Sequence, residues 1–438
     1  MNDILTQNAI LYADKKAFVC GKDSITFRDL YYAATEKAKE LTAGGMSEGD
    51  IIPLKAVSAI EYFIEYFAIH LNKGIVVPLA SDISDEAYSL YNEELKNSKV
   101  PRGTADILFT TGTTGKSKGV IVSHEAIIAN SENLIEAHKY NDELSFIICS
   151  PLNHYGAWSK IFPCIIKGMT VILQNGIKII DEMFSAIDGA EGKVATFLVP
   201  SSIKILMQMS GEKLSKYSDK IAFIETGGAP MSEGDMKHLC RLLPHSCLYN
   251  TYASTESGII ATYNYNCGEC IPGCVGTPMR NSSVVVSPEG HIMCSGKTLM
   301  TGYLEDSILT NEILRNGVVT MADRGRIDEK GRLYVMGRDD DVINTGAYKV
   351  NPQEVEDAAN EYADIKDCIC IAVPHAILGT ALKLLYTTHD GRDISKKNLA
   401  EFLKVKLEKY KIPLLYEKAE EVKMTFNGKK DRKYYRKN

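Results

Sequence analysis

The residues with the most specific chemistry form one loop near position 110. After the apolar run 107–109, which is typical of a buried strand, threonine hydroxyls alternate with glycines and lysines as far as Gly119. Glycines let backbone N–H groups point outward, and these groups can surround a phosphate chain together with hydroxyls and ammonium groups. The residues predicted to bind phosphate are Thr110, Thr111, Gly112, Thr113, Thr114, Gly115, Lys116 and Lys118.

This loop is not a Walker A motif. That motif requires a glycine five residues before its Gly-Lys-Ser/Thr, and here the position is Thr110. A kinase or GTPase of the P-loop type is therefore disfavoured. A glycine-rich surface turn is the alternative, but threonines packed between glycines make that interpretation weaker.

Three further motifs lie downstream in a consistent order. Residues 227–230 read Gly-Gly-Ala-Pro, residues 252–256 read Tyr-Ala-Ser-Thr-Glu, and residues 425–433 read Thr-Phe-Asn-Gly-Lys-Lys-Asp-Arg-Lys. Together with the loop, they resemble the adenylate-forming superfamily of acyl-CoA synthetases, aryl-acid ligases and peptide-synthetase adenylation domains. The resemblance covers nearly the whole chain, with a shortened N-terminal subdomain where the segment 80–102 is short and polar.

The resemblance implies a site for ATP and Mg²⁺. It assigns Tyr252 to adenine stacking, Thr255 to the α-phosphate and Glu256 to Mg²⁺. A flat ring can cover a purine, and a hard carboxylate suits a hard cation. The other nucleotide-binding residues that the resemblance implies are Gly228, Ala229, Asp323 (both ribose hydroxyls) and Arg338.

Lys429 is the predicted catalytic lysine. By resemblance it bridges the substrate carboxylate and the α-phosphate, where negative charge develops in the transition state. It is expected on a mobile C-terminal domain that is delivered for adenylation and then withdrawn, with the hinge at Asp340. His154, in a Pro-Leu-x-His-like motif at 151–154, is implied to lie beside the acyl pocket and is included among the catalytic candidates with Thr255.

The acyl pocket is predicted to contain Tyr155, Thr251 and Ala253. No carboxylate lies between His154 and Lys160 to meet an amino group, so an α-amino acid is disfavoured. Thr251 and Ala253 stand where relatives often have glycine, and added methyl groups exclude volume in a close-packed pocket. We therefore expect a short or compact carboxylic acid that lacks an amino group.

The resemblance implies a thiol as the second substrate. Coenzyme A is the expected acceptor, and the phosphopantetheine of a separate carrier protein, reached in trans, is the alternative. Ala347 and Lys349 fall in the segment that faces the thiol tunnel in relatives. Two rival classes stay open: a non-catalytic nucleotide-binding relic, suggested by alanines at glycine positions, and an adenylate-dependent oxygenase of the luciferase kind.

Alternating helix and strand patterns predict an α/β fold. Residues 25–41 have a helical pattern with Thr26 as N-cap, and short apolar runs such as 74–79 and 195–199 are typical of buried strands. The predicted architecture is a large multilayer α/β domain over residues 1–338, joined by a hinge to a small α+β domain over residues 339–438.

Composition excludes several other classes of protein. A formal net charge of −6 gives no reason to expect nucleic acid, and no apolar run is long enough for a membrane span. The N-terminus lacks a signal-peptide pattern, and 11 cysteines without such a signal suggest reduced thiols in a cytoplasm. Cys267 and Cys270, with Cys274 and Cys294 beyond, have no second Cys-x₂-Cys pair, so a metal site there is disfavoured.

Overall fold

The computed structural model describes residues 2–110, 118–174, 176, 180–338, 341–345, 348–375, 379–425 and 429–437. Several residues predicted above lie outside these ranges. They are Thr111, Gly112, Thr113, Thr114, Gly115, Lys116, Asp340 and Ala347.

Helices and strands alternate along the described chain. The helices are α1 (Asn2–Leu11), α2 (Phe27–Ala43), α3 (Ile60–Leu71), α4 (Asp85–Leu95), α5 (His124–His138), α6 (Tyr155–Ile166), α7 (Ile180–Gly189), α8 (Pro200–Ser215), α9 (Glu233–Leu242), α10 (Ser307–Ile313), α11 (Pro352–Asn360), α12 (Lys396–Lys406) and α13 (Arg432–Lys437). The strands are β1 (Lys16–Cys20), β2 (Asp23–Thr26), β3 (Ile51–Lys55), β4 (Ile75–Leu79), β5 (Thr104–Thr110), β6 (Lys118–Ser123), β7 (Leu144–Ile148), β8 (Thr170–Leu173), β9 (Lys193–Phe197), β10 (Ile221–Gly227), β11 (Cys247–Ser254), β12 (Gly258–Asn264), β13 (Cys274–Pro278), β14 (Ser282–Val286), β15 (His291–Gly296), β16 (Gly302–Tyr303), β17 (Leu314–Arg315), β18 (Val318–Ile327), β19 (Leu333–Arg338), β20 (Ile343–Thr345), β21 (Tyr348–Val350), β22 (Ile365–His375), β23 (Gly379–Thr388) and β24 (Leu415–Lys418).

Two sheets build the large domain. The larger has the strand order β14-β15-β18-β19-β13-β12-β11-β10-β9-β7-β8-β1-β2, and the smaller runs β16-β6-β5-β4-β3. The central strands β9, β10 and β11 are parallel, and they are apolar along most of their length because helices cover both faces. Parallel strands end at one edge, so this sheet gathers side chains from distant parts of the sequence.

The small domain is a separate α+β unit. Strands β22, β23 and β24 form its sheet, β20 and β21 form a short hairpin, and α11 and α12 pack against the sheet. Its core is built from Val355, Leu384 and Leu403 among others, all fully buried. The predicted fold class, a large α/β domain followed by a small α+β domain, is confirmed. The boundary at residue 338 stays a prediction.

The N-terminal elements match the predicted pattern with two adjustments. The helix predicted from residue 25 begins at Phe27, since the preceding residues form β2; Thr26 caps it by accepting from the Asp29 backbone N–H at 3.1 Å. The polar segment 80–102 also contains a helix, α4. Ser84 caps α4 by accepting from the Ala87 N–H at 3.2 Å, and acidic residues favour its first turn.

Candidate active site

The carboxyl ends of the central parallel strands form the floor of the candidate site. Gly227 of β10 is paired with Thr251 of β11, and Glu225 is paired with Phe197 of β9. Residues paired in this way point to the same face of the sheet. A Cβ atom on Gly227 would lie 2.6 Å from the Thr251 carbonyl oxygen, so the floor is closed tightly there.

The residues predicted to bind ribose and adenine come together from three strands of the larger sheet: Tyr252 from β11, Asp323 from β18 and Arg338 from β19. The Tyr252 hydroxyl donates to Asp323 Oδ2 at 2.8 Å, and Arg338 Nε lies 3.7 Å from Asp323 Oδ1. Asp323 and Arg338 are directly paired across β18 and β19. Burial and the Asp323 carboxylate raise the pKa of Tyr252 well above its usual value, so its ring stays neutral. This geometry suits the binding of a purine face by the Tyr252 ring and of a sugar by the Asp323 carboxylate.

Tyr303 lies between Lys118, at the end of the predicted phosphate loop, and Glu256, the predicted magnesium ligand. Its hydroxyl donates to Glu256 Oε1 at 3.0 Å, while Lys118 Nζ lies 5.6 Å from its ring centre. Tyr303 is held there because β16 pairs with β6, the strand that follows the loop. The sequence analysis missed Tyr303, since a lone aromatic in a short strand has no distinctive spacing.

Glu256 alone provides only part of the coordination that Mg²⁺ requires. Mg²⁺ usually takes one or two protein carboxylates and completes an octahedral shell with phosphate oxygens and water. Glu256 supplies one such carboxylate, oriented by Tyr303. Among the described residues, no group of three or more His, Cys, Asp or Glu side chains could hold a metal ion. When bound, Mg²⁺ would neutralise phosphate charge.

Lys429 extends from the small domain to the edge of the large one. A Cβ atom on Gly228 would lie 3.9 Å from Lys429 Cε. The residue keeps contact with solvent, yet the surrounding protein removes enough water to lower the pKa of its ammonium. Arg338 lowers this pKa further, whereas Asp323 and Glu256 raise it. Lys429 therefore shares one electrostatic environment with the predicted ribose and magnesium residues.

A buried carboxylate anchors the segment that carries Lys429. Glu356 is completely buried and accepts from Lys430 Nζ at 2.9 Å, Arg432 at 2.7 Å and the Cys370 backbone N–H at 2.8 Å. Although burial raises the pKa of Glu356, the two cations lower it below its usual value. Lys430 is thus directed into the small domain, and the adjacent Lys429 is left for the site.

The start of α6 forms the opposite wall of the site. His154 is the N-cap residue of α6, followed by Tyr155 and Gly156. A Cβ atom on Gly156 would lie 2.6 Å from the Phe197 ring, and one on Gly227 would lie 3.8 Å from the same ring. Phe197 therefore fills the space between the helix and the strand end, and sequence patterns did not indicate it.

A buried ion pair lies beneath Phe197. Lys160 Nζ is 2.7 Å from Glu225 Oε1 and 5.2 Å from the Phe197 ring centre. His138 Nδ1 lies 3.6 Å from Glu225 Oε2, and burial lowers the pKa of His138 to about 4. The layer of side chains beneath the Phe197 ring is therefore polar.

Other predicted residues lie apart from this cluster. Lys349 is exposed on the β20–β21 hairpin of the small domain, on a different element from Lys429. Cys274 and Cys294 are buried and Cys267 is exposed, while Cys270 Sγ lies 3.8 Å from Cys240 Sγ. In the described part of the chain, no helix is long and apolar enough to cross a membrane.

Comparison with known proteins identifies the family of the chain. The AMP-binding enzyme family matches residues 87–304, and the AMP-binding enzyme C-terminal domain matches residues 354–429. A 2-succinylbenzoate–CoA ligase of Staphylococcus aureus (strain MSSA476) is 29% identical over 340 residues, which cover 76% of this chain and 67% of the relative.

Solved structures share the fold. ATP-bound MatB from Rhodopseudomonas palustris superposes with a TM-score of 0.89 at 20% identity, covering 100% of this chain and 98% of that one. MenE, the o-succinylbenzoate CoA synthetase of Bacillus subtilis, bound to its acyl-adenylate intermediate, has a TM-score of 0.85 at 21% identity, covering 99% of this chain and 97% of that one.

The chain belongs to the adenylate-forming superfamily of AMP-binding enzymes. It is an AMP-forming acid–thiol ligase, an enzyme that activates a carboxylic acid as an acyl-adenylate before a thiol accepts the acyl group.

Proposed function

We propose that this protein joins a compact carboxylic acid without an α-amino group to coenzyme A, using ATP and Mg²⁺. The observation that carries the proposal is the position of Lys429 beside Gly228, next to Asp323 and Glu256. A cation there can stabilise the charge that develops as a carboxylate attacks the α-phosphate. Tyr252, Asp323 and Arg338 would hold the nucleoside, and the loop from Thr110 would hold the phosphates.

Phe197 supports the assignment of a compact acid. If the carboxylate lies by Lys429 and Gly228, the rest of the acid extends along Gly227 toward the Phe197 ring. Thr251, also on this floor, has its hydroxyl 3.0 Å from Thr262 Oγ1 and is buried. The aromatic ring and the close-packed strand end would limit the acid to a short chain.

The acceptor assignment rests on similarity. The S. aureus relative is named as a CoA ligase, and the B. subtilis protein that shares the fold is named as a CoA synthetase. A carrier protein loaded in trans remains the alternative acceptor. The small domain would move between the two steps, with Lys429 withdrawn and the β20–β21 hairpin carrying Lys349 brought toward the thiol.

A panel of carboxylic acids tests the proposal. Pyrophosphate release would be measured with MgATP, with and without coenzyme A, for graded linear acids, α-amino acids and 2-succinylbenzoate. We expect AMP and pyrophosphate as products, the highest kcat/KM for compact acids, and turnover that requires coenzyme A. Release of ADP and orthophosphate would contradict the proposal. Transfer of the acyl group to a carrier protein but not to coenzyme A would show that the carrier protein is the acceptor.

A further inference from the structure

An ion pair connects the large domain to the small one at a distance from the nucleotide groups. Lys204 Nζ, on α8 of the large domain, lies 3.8 Å from Asp367 Oδ1 on β22 of the small domain. Their side chains are only 24% and 18% exposed, so solvent screens this pair less than a fully exposed one. The pair is therefore a polar contact between the large and the small domain.

Lys204 is mounted on a rigid element. Helix α8 begins at Pro200, three residues after the strand that ends at Phe197, and proline is favoured at a helix start. Ile203, the neighbour of Lys204, is completely buried in the large-domain core, as is Leu206. The backbone of Lys204 therefore has a fixed position relative to the site floor.

Asp367 is held from within the small domain. Its Oδ1 accepts from the Cys368 backbone N–H at 2.9 Å and lies 3.6 Å from Lys430 Nζ. Lys430 is engaged more closely by Glu356, at 2.9 Å, so it meets the charge of Asp367 only in part. Lys204 supplies the second cation. Lys430 directly follows Lys429 in the chain. The charged groups of Lys204, Asp367 and Lys430 therefore form a series that runs from the large domain to the catalytic lysine.

We propose that Lys204 is a positioning residue for the adenylation step. Its ion pair with Asp367 holds the small domain in the arrangement that places Lys429 beside Gly228, and it separates when the domain reorients for thiol transfer. This role rests on the two-step reaction proposed above. It predicts that Lys204 assists the first step only.

The test compares the two half-reactions in matched variants. Lys204→Ala should slow acyl-AMP formation about 2- to 5-fold, in the range measured for ion pairs near a protein surface. Thioester formation from chemically prepared acyl-AMP should be unchanged or faster, and Lys204→Arg should restore adenylation. The control is Lys213→Ala, beyond the kink at Ser210 in α8, where the lysine pairs at 2.8 Å with Asp181 inside the large domain; neither step should change.

Two further measurements isolate the ion pair. Asp367→Asn should slow adenylation similarly, and the double variant with Lys204→Ala should be no slower than the slower single variant. The effect of Lys204→Ala should shrink as ionic strength rises. Equal loss of both half-reactions, or no loss in either, with an unchanged unfolding temperature, would overturn the proposal.

A readout without turnover separates this proposal from the assignment of the acid. In ATP-bound protein, amide hydrogen exchange at residues 365–370 should be faster in Lys204→Ala than in wild type, and unchanged in Lys213→Ala. Unchanged exchange in Lys204→Ala would refute the ion-pair role even if an acid substrate has been found. Failure of every acid in the panel would instead contradict the proposed function alone.

Discussion

Glu225 in the large domain and Glu356 in the small domain are both completely buried, but their charges are met in different ways. Glu356 accepts from two cations and a backbone N–H, all within 3.0 Å. Glu225 accepts from Lys160 at 2.7 Å, while its Oε2 lies 3.6 Å from His138 Nδ1 and has no hydrogen-bond partner among the described residues. A carboxylate whose hydrogen bonds are all made can fix the geometry of the groups around it. A partly satisfied carboxylate and its partner can be replaced by apolar residues with less loss of stability.

The difference matches what each carboxylate supports. Glu356 holds Lys430 and Arg432, which follow Lys429 by one and three positions in the chain. Glu225 and Lys160 lie under Phe197, where the floor needs volume and shape more than a particular charge. We therefore expect the small-domain network to control catalysis and stability strongly, and the large-domain pair to affect them weakly.

The largest effect is expected when the small-domain network is broken. Glu356→Gln leaves Lys430 and Arg432 without their buried counter-charge, and the unfolding free energy should fall by about 3–5 kcal/mol. Denaturant unfolding measures this change. Glu354→Gln is the matched control, because Glu354 is 38% exposed and pairs with Lys411 near the surface; it should change stability by less than about 1 kcal/mol.

The same network should show a defined pH dependence. The pKa of Glu356 is lower in the folded protein than its usual value because Lys430 and Arg432 outweigh burial. Its stabilisation is therefore complete above the unfolded value of about 4.3 and is lost as the pH falls through the lower folded value. The stability gap between wild type and Glu356→Gln should shrink below about pH 4; a constant gap would contradict the ion-pair account.

Removing the ammonium of Lys429, the predicted catalytic lysine, is expected to have the next largest effect. Lys429→Ala should slow acyl-AMP formation by about 10²–10³, since the transition state loses a stabilising donor. Thioester formation from prepared acyl-AMP should be largely retained. Lys423→Ala, an exposed lysine that pairs with Glu421 on the same segment, is the control. Equal loss of both half-reactions in folded Lys429→Ala would show that the lysine is not specific to adenylation.

A change at the pocket floor should alter selectivity more than rate. Phe197→Ala removes the ring that faces Gly156 and Gly227, so longer acids should gain relative to compact ones by about 1–3 kcal/mol in discrimination. Ala253→Gly should shift preference the same way if its methyl group also lines the pocket. Competition between acids of different length measures the shift, and an unchanged length profile would place the pocket elsewhere.

The smallest effect is expected from replacing the large-domain pair as a unit. Lys160→Met combined with Glu225→Leu removes both charges and keeps similar volume, and such replacements of buried pairs are often neutral or stabilising. We expect the unfolding free energy to fall by no more than about 1 kcal/mol. If the unfolding free energy fell as much as in Glu356→Gln, the two carboxylates would not differ in the way described above.

Much of the fold could be predicted, and candidate residues for the nucleotide site could be named, because the signals are local. Thr26 caps α2 since its own hydroxyl reaches the N–H three residues on, and the central strands are apolar because helices cover them. The helix α4 was missed although Ser84 and the acidic residues after it carry a helix-start signal, because the segment as a whole is polar. The roles of Asp323, Glu256 and Lys429 came from motif resemblance and stay predictions.

The sequence by itself determined the class of protein, the order of its elements and the chemical groups that the site contains, because motif spacing and hydrophobic periodicity are properties of neighbouring residues. Only the tertiary structure decided that Phe197 closes the site floor, that Tyr303 orients Glu256, and that Lys204 meets Asp367 across the two domains. Those contacts join residues about 30 to 160 positions apart. Their existence depends on strand register and helix packing, which set distances of a few ångströms that no local pattern records.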